Sequence, residues 1–505
     1  MKNKYIFRGL LVAAIATFTS SCEKDFLNVN TSPNNPTTST PALILPNAIN
    51  VAGTQVNGTL NVLGNLLSGN WGQAPDFLFY IPQETYTITP GTYDAVWTNL
   101  YANSLKNLQY LTANSDPTLK NYVAIGKIMQ AYDFQLLVDL WGDVPFTDAL
   151  KGTAVLNPKY DPATTVYDNV IKLIDDGIAS IDNNAIKPGA NDIVFGSSTA
   201  TEMDNWKRFA NTLKLRVLIR QSRVSSRASQ VTSGFTSLNG AAYLGAGQNA
   251  AANPGYFNQS GEFSPIYASI GFSATGATTS NYQATRGTAF AINFLTTTND
   301  PRLAQLYRPT PNIPTVYKGV VAGSTASTGN RSNDLSPVGP GILKTSANSG
   351  FATPAYLISA SESYFLQAEA VVRGYTTGNA QALYNAGIEE SFKVLGLTAA
   401  QAQAYYSTST NPLINFSLAT STNDKLAAIG TQKWLSLNGI NGIEAWNEYR
   451  RTGYPTGNPI PTNSQAGPGK RPVRLPYPQN ELNANPSNVP AIANIFDTRI
   501  FWDVD

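Results

Sequence analysis

The stretch ISASESYFLQAEAVVRG, residues 358–374, decides the fold. Glu362 and Glu369 stand seven apart, so a helix over 359–373 puts both carboxyls on one face, about 10.5 Å apart along the axis. A paired-carboxylate glycosidase needs two such groups about 5 to 10 Å apart, which makes this pair the one catalytic device to weigh. Tyr364, Phe365 and Ala368 lie between them and read as a packed interface instead of an open cleft. Each carboxylate on such a face needs a partner, and the reading is an ion pair with an arginine from a neighbouring helix. Gly374 to Gly378 then breaks the pattern before a second helix over 380–396, which predicts an αα-hairpin.

Outward from this hairpin, apolar spacing near 3.6 recurs. Val166, Val170, Ile174, Ile178 and Ile181 form one stripe, and Trp206, Phe209, Leu213 and Val217 another. Further helices are expected at 42–68, 92–112, 118–140 and 423–438. Trp97 and Tyr101, four apart on one of them, read as core.

Two aromatic stretches interrupt the helical pattern. In the first, Trp71 to Thr89, the runs around Phe77, Phe79 and then Tyr86, Ile88 alternate as short strands do, punctuated by Pro75, Pro82 and Pro90. In the second, 253–286, six aromatics sit among Gly, Ser, Asn and Thr, with Glu262 and Arg286 as the charged residues. Aromatic rings on loops suit recognition of a neutral polar ligand, whose C–H faces stack while its hydroxyls exchange hydrogen bonds. Trp71, Phe79, Tyr80, Tyr256, Tyr267 and Tyr282 are the stacking candidates. The competing reading is that such rings plug the loops onto the helical body.

The amino terminus reads as a targeting segment. Lys2, Lys4 and Arg8 precede an apolar run from Leu10 to Phe18, about half of the ~20 residues a spanning helix needs, so residues 1–21 fit a signal peptide. Cys22, the one cysteine in 505 residues, follows Thr19, Ser20 and Ser21, where a lipoprotein would be cut and acylated. Thr19 departs from the aliphatic residue usual three places before that cysteine. Two or more acyl chains anchor stably without spanning. Residues 22–40, rich in Asn, Thr, Ser and Pro, read as a flexible tether, and 41–505 as a single domain.

Losing residues 1–21 takes Lys2, Lys4 and Arg8 from 34 basic residues and nothing from 32 acidic ones, leaving 31 against 32. A neutral chain without a basic run argues against nucleic acid. The chain has no histidine, which removes Ser-His-Asp triads and nearly all zinc hydrolase sites. One cysteine excludes CxxC redox chemistry. Gly271 to Gly276 is one residue too long for a nucleophile elbow, and Gly467-Pro-Gly-Lys470 lacks the earlier glycine of a phosphate loop, having Ser464 there. No catalytic residue, metal or cofactor is expected.

The helix at 358–374 resembles the "AE-x-x-F-L-x-A-E-A" helix of the SusD/RagB family of outer-membrane nutrient-binding lipoproteins. DFLNVNTSPNNPT after Cys22, LVDLWGDVPFTDAL at 137–150, GIEAWNEYRRTGYP at 442–455 and VRLPYPQNELNANPSNVP at 473–490 agree with it in order. The resemblance implies a mainly α fold of four tetratricopeptide-like helix pairs, with irregular loops and a few short strands on the ligand side. It implies a binding protein, not an enzyme, lying as a lid on a SusC-like TonB-dependent transporter and passing on a glycan, or sometimes a peptide. It also implies an outer-membrane lipid anchor, facing outward if Glu23 to Asp25 act as an export signal. Trp141, Trp446, Arg450, Arg451, Tyr454 and Tyr477 in its motifs are assigned to the scaffold.

Overall fold

The computed structural model describes residues 39–504. The expected signal peptide, Cys22 and nearly all of the expected tether therefore lie outside the described residues. Helices α1 (Pro41–Asn57) and α2 (Thr59–Leu67) come first. Helix α3 (Asp94–Thr98) continues through a π-helical segment, Asn99–Leu105, into α4 (Lys106–Thr112). Next are α5 (Lys120–Trp141), α6 (Ala163–Ser180), α7 (Glu202–Arg220) and α8 (Ala228–Ser237). After α9 (Ala289–Thr297) come α10 (Ala360–Val372), α11 (Ala380–Val394) and α12 (Ala399–Thr408). Helices α13 (Thr422–Leu437) and α14 (Gly442–Thr452) complete the larger elements. Four short strands, β1 (Trp71–Gln73), β2 (Ala250–Ala252), β3 (Thr285–Gly287) and β4 (Ala355–Ile358), form two antiparallel pairs, β1 with β3 and β2 with β4.

Local chemistry sets the helix starts. Ser359 opens α10 by accepting from the Glu362 amide at 3.1 Å, and Asn379 opens α11 by accepting from the Ala382 amide at 3.0 Å. Gly374, at φ +77°, makes the turn between them. The predicted hairpin forms, with α10 packed on α11. Helices α5 and α6, α7 and α8, and α13 and α14 also pack as consecutive pairs. The mainly α architecture with four helix pairs is therefore present, and Ile44–Asp505 gather into one compact unit.

The expected strands around Phe77 and Phe79 and at Tyr86 and Ile88 are absent, the first stretch giving a strand only at Trp71–Gln73. Ile81–Thr85 is a short helix that Tyr86 ends in the left-handed region at φ 59°, and Ile88 lies in irregular chain. Pro82 at the start of that helix has no amide to give a strand ladder.

Both glutamates of the deciding helix are paired as expected. Arg216 of α7 donates from Nε and Nη2 to Glu362 at 2.8 and 2.9 Å. Arg451 of α14 donates to Glu369 at 2.8 and 2.6 Å. The ionic layer continues through Arg220 to Glu444 and through Lys433 to Glu448. Burial alone would raise the Glu444 carboxyl, but the Arg220 and Arg216 guanidiniums outweigh it and hold it at about 2. With Glu362 fully buried and bound to Arg216, these carboxyls offer no acid–base pair to a substrate.

Trp141 donates its indole N–H to the Pro476 carbonyl at 2.9 Å, and Tyr477 its hydroxyl to the Asp143 carbonyl at 3.0 Å. Trp97 and Tyr101 are ring neighbours at 4.8 Å, with Trp97 buried and Tyr101 partly so. These motif and helix aromatics serve the scaffold.

Away from this ionic layer, α5 holds a buried carboxyl with no cation beside it. Asp133 of α5 is fully buried, and its contact is the Ser104 hydroxyl at 2.6 Å, itself 3.2 Å from the Ala48 carbonyl. Burial pushes Asp133 up to about 8, against the Ser104 hydrogen bond. A hydroxyl has one proton, so a protonated Asp133 donating to Ser104, which donates to Ala48, satisfies the chain best. The folded value lies above the unfolded one of about 3.9. The stability this group supports is therefore complete below pH ~4 and lost as pH rises through 8. Asp133→Asn, which keeps a donor there, is expected to melt higher than wild type at pH 8.5 and equally at pH 4. Thermal unfolding at both values checks it.

Candidate functional site

The two aromatic stretches meet at β1 and β3. Trp71 pairs with Gly287, Gly72 with Arg286 and Gln73 with Thr285. The ladder is extended by the Ala74 amide, which donates to the Ala284 carbonyl at 2.7 Å. Two loops separated by about two hundred residues of chain thus leave a common platform.

A third segment joins them that sequence reasoning missed. Arg286 bridges to Pro337, Thr288 to Val320, and Tyr307 to Val338. Gly72 is needed here, because a Cβ would lie 2.8 Å from Val320 Cγ1. The signal was present as Ile313, Val316 and Val321, apolar side chains set among Pro, Gly, Ser and Thr, and all three are exposed.

Polar side chains fix the loops to one another. The Glu84 carboxylate accepts from the Gln73 amide at 2.9 Å and from the Gly323 amide at 2.6 Å. Asp76 accepts from the Ser332 amide and hydroxyl at 2.8 and 2.9 Å. Arg286, buried, donates from Nε to the Ser332 carbonyl at 2.8 Å and from Nη1 to the Tyr282 and Thr285 carbonyls at 2.8 and 2.7 Å. Burial lowers its guanidinium to about 10, opposed by Tyr282 and Asp76. The one basic residue of the second stretch thus ties that stretch to the third segment at Ser332.

The six stacking candidates divide. Trp71, Tyr267 and Tyr282 are buried in a core cluster with Ile266, Ile270 and Leu295, so their rings pack the loops onto the body and offer no face to a ligand. This corrects the expectation for those three. The reason is local: Pro265–Ile270 and Ser280–Ala284 form single helical turns that present Tyr267 and Tyr282 inward. Their rings run in a chain, Phe263 to Tyr267 at 5.1 Å, Tyr267 to Phe272 at 6.2 Å and Phe272 to Tyr282 at 4.7 Å.

Phe79 is 48% exposed, beside Phe77 at 5.8 Å and next to Leu78, which is more exposed still. Tyr80 is half-buried, its hydroxyl 2.9 Å from Thr285 Oγ1, and burial raises that phenol. Tyr256 is half-buried and donates to Asn50 Oδ1 at 3.3 Å. Phe257, not among the candidates, is 62% exposed. Its loop is held by Asn258, which donates to the Ala274 carbonyl at 3.1 Å. Phe79 and Phe257 are thus open rings on loops tied down by hydrogen bonds. Among the described residues no cluster of His, Cys, Asp and Glu could hold a metal ion, and no helix is long and apolar enough to cross a membrane.

The family model of SusD-like proteins, described as starch-binding and associating with the outer membrane, matches residues 33–478. The chain belongs to this family. Solved structures agree over nearly the whole fold. A chitin-binding protein aligns with a TM-score of 0.75 at 25% identity, covering 92% of this chain and 100% of the other. A chitin-binding SusD homologue from Flavobacterium johnsoniae gives 0.74 at 24% identity, with 92% and 98% covered. A SusD homologue from Bacteroides fragilis gives 0.71 at 22%, with 92% and 99% covered. A comparison with curated proteins found no match.

Proposed function

We propose that this protein is an outer-membrane lipoprotein, anchored through Cys22 and facing the cell exterior, that captures an oligosaccharide or polysaccharide and delivers it to a SusC-like TonB-dependent transporter. The observation that carries the glycan reading is the open rings of Phe79, on a loop tied down by Glu84 and Asp76, and of Phe257, on a loop tied down by Asn258. Stacking by preordered rings costs little conformational entropy on binding. Two structural relatives, both chitin-binding, support a glycan as ligand class. The protein binds and does not turn over its ligand: tight binding of a ground state gives capture without catalysis.

The ligand contacts are Phe79, Tyr80 and Tyr256 of the sequence candidates, with Phe257 added. Calorimetric titration against chitin and starch oligosaccharides, and against peptides, tests the ligand class. Binding of peptides alone would replace the glycan with a peptide cargo in the same architecture. Replacing both Phe79 and Phe257 by Ala is expected to weaken glycan binding about tenfold or more with the melting temperature unchanged. An equal loss of stability would make those rings structural. For the anchor, Cys22→Ala is expected to move the protein from the membrane fraction to the soluble one.

A further inference from the structure

Away from the loop platform, a cavity of about 290 Å³ opens beside α14. Its wall carries Arg450, Lys470, Arg471 and Arg499 against Asp497 and Asp503, so positive charge exceeds negative by two. Lys470 and Arg499 have carboxylates of their own, Asp497 at 2.6 Å and Asp503 at 2.5 Å. Arg450 and Arg471 have none within ion-pair distance among the described residues.

Arg450 is 94% buried by its 6% exposure, lying over the Trp446 ring at 3.8 Å and the Trp502 ring at 4.8 Å. Its Nη1 donates to the Val473 carbonyl at 2.6 Å, and its Nη2 to the Asp139 carbonyl at 2.7 Å and to Asn447 Oδ1. Every one of those acceptors is neutral, and the buried Nε–H has no acceptor at all. Burial lowers this guanidinium to about 10 despite the attraction of Asp503 and Asp139. With neutral acceptors alone on its hydrogen bonds, the guanidinium keeps a positive charge at the wall of the cavity it lines, which an anion there would offset. Arg471 gives its terminal nitrogens to the Asn458 and Pro459 carbonyls and lies 5.6 Å from the Tyr449 ring. The Tyr86 hydroxyl, raised by burial to about 12 against the pull of Arg471, adds a neutral donor to the same wall.

We propose that this cavity binds a small oxyanion, a carboxylate or phosphate carried on a molecule no larger than a single sugar, between Arg450 and Arg471. The cavity lies near the lower limit of small-molecule sites, about 300 Å³, which sets the size of the ligand. Guanidinium groups pair with such anions through charge-assisted hydrogen bonds, and the Trp446, Tyr449 and Tyr86 rings line the remaining volume. The site is separate from the stacking face. It shares Leu67 and Tyr86 with a smaller recess of about 80 Å³ that borders Thr288 and Val320 behind the platform.

The test is calorimetric titration of the mature protein with glucuronate, with inorganic phosphate and with glucose, at constant chloride ionic strength. Saturable binding of glucuronate or phosphate, with glucose silent, is expected. Binding of glucuronate alone identifies a sugar acid, of phosphate alone a phosphate group, and of both a general oxyanion site. Arg471→Met should weaken that binding about tenfold or more. Should that variant not fold, Lys470→Gln with Arg499→Gln should weaken binding severalfold by removing the outer positive charge. The double Phe79→Ala, Phe257→Ala variant should bind the anion as wild type does, whatever becomes of its glycan affinity. No heat with either anion, equal response to glucose, or undiminished binding in the variant that folds would overturn the proposal.

Discussion

Arg451→Met is expected to destabilise the protein by about 3–5 kcal/mol in urea unfolding, the cost of stranding buried charge. Arg451 is fully buried between two carboxylates: it reaches Glu369 at 2.8 and 2.6 Å and Glu448 through Nη2 and Nε. Methionine fills most of the volume but leaves Glu369 to Arg373 and Glu448 to Lys433 alone. Burial by itself would raise both carboxyls, but the neighbouring cations, Arg451 first, hold both below the usual carboxylate range. Depressed groups stabilise above the unfolded value of about 4.3, and that contribution is lost as pH falls through the folded one. The variant's glutamates take up protons more readily, so its deficit against wild type should shrink between pH 7 and 4. Adding Glu448→Gln to the variant should recover part of the loss. An exposed pair such as Lys172 with Asp176, at 67% and 41% side-chain exposure, is the contrast. Lys172→Ala should change stability by less than about 1 kcal/mol.

Gly64→Ala is expected to cost about 3 kcal/mol or more, beyond the ~1–3 kcal/mol of ordinary overpacking. In an isolated helix the same change would stabilise by about 1 kcal/mol. Tertiary contact reverses the sign: a Cβ at Gly64 would stand 2.1 Å from the Gly442 carbonyl carbon and oxygen and 2.3 Å from the Ile443 nitrogen. These are backbone atoms, which cannot rotate aside. The close approach of α2 to the start of α14 is locked by Asn61, which accepts from the Gly442 amide at 2.7 Å and donates to the Gly439 carbonyl at 2.8 Å. Gly91→Ala is the control, since nothing lies within 4 Å of its Cβ position. Denaturant unfolding of the two variants side by side measures the difference.

The helical body was legible where apolar residues kept a period. Val166 to Ile174 and Trp206 to Val217 lie inward as their spacing predicts, and the partners of Glu362 and Glu369 are arginines of neighbouring helices. Helix α14 was not read from periodicity because its buried face is charged: Glu444, Glu448, Arg450 and Arg451 are all buried there, so burial and polarity part company. The loops were legible as aromatic but not as inside or outside. Trp71 and Phe79 are eight residues apart in similar company, yet one is core and the other is open, because β1 is held by β3 from the far end of the second stretch. Register between segments so distant is a tertiary fact that no local window contains. The same holds for Val320 and Pro337, whose bridges recruit a third loop.

The β1–β3 junction is made from main-chain bonds, and main-chain bonds are indifferent to most side-chain identities. The residues beyond it, from Phe77 to Phe79 and from Tyr256 to Glu262, can therefore be exchanged without rebuilding the junction. Specificity is then an inheritance separate from foldability: one body can be refitted for a new cargo by altering short inserts, while the helices that carry them stay as they are.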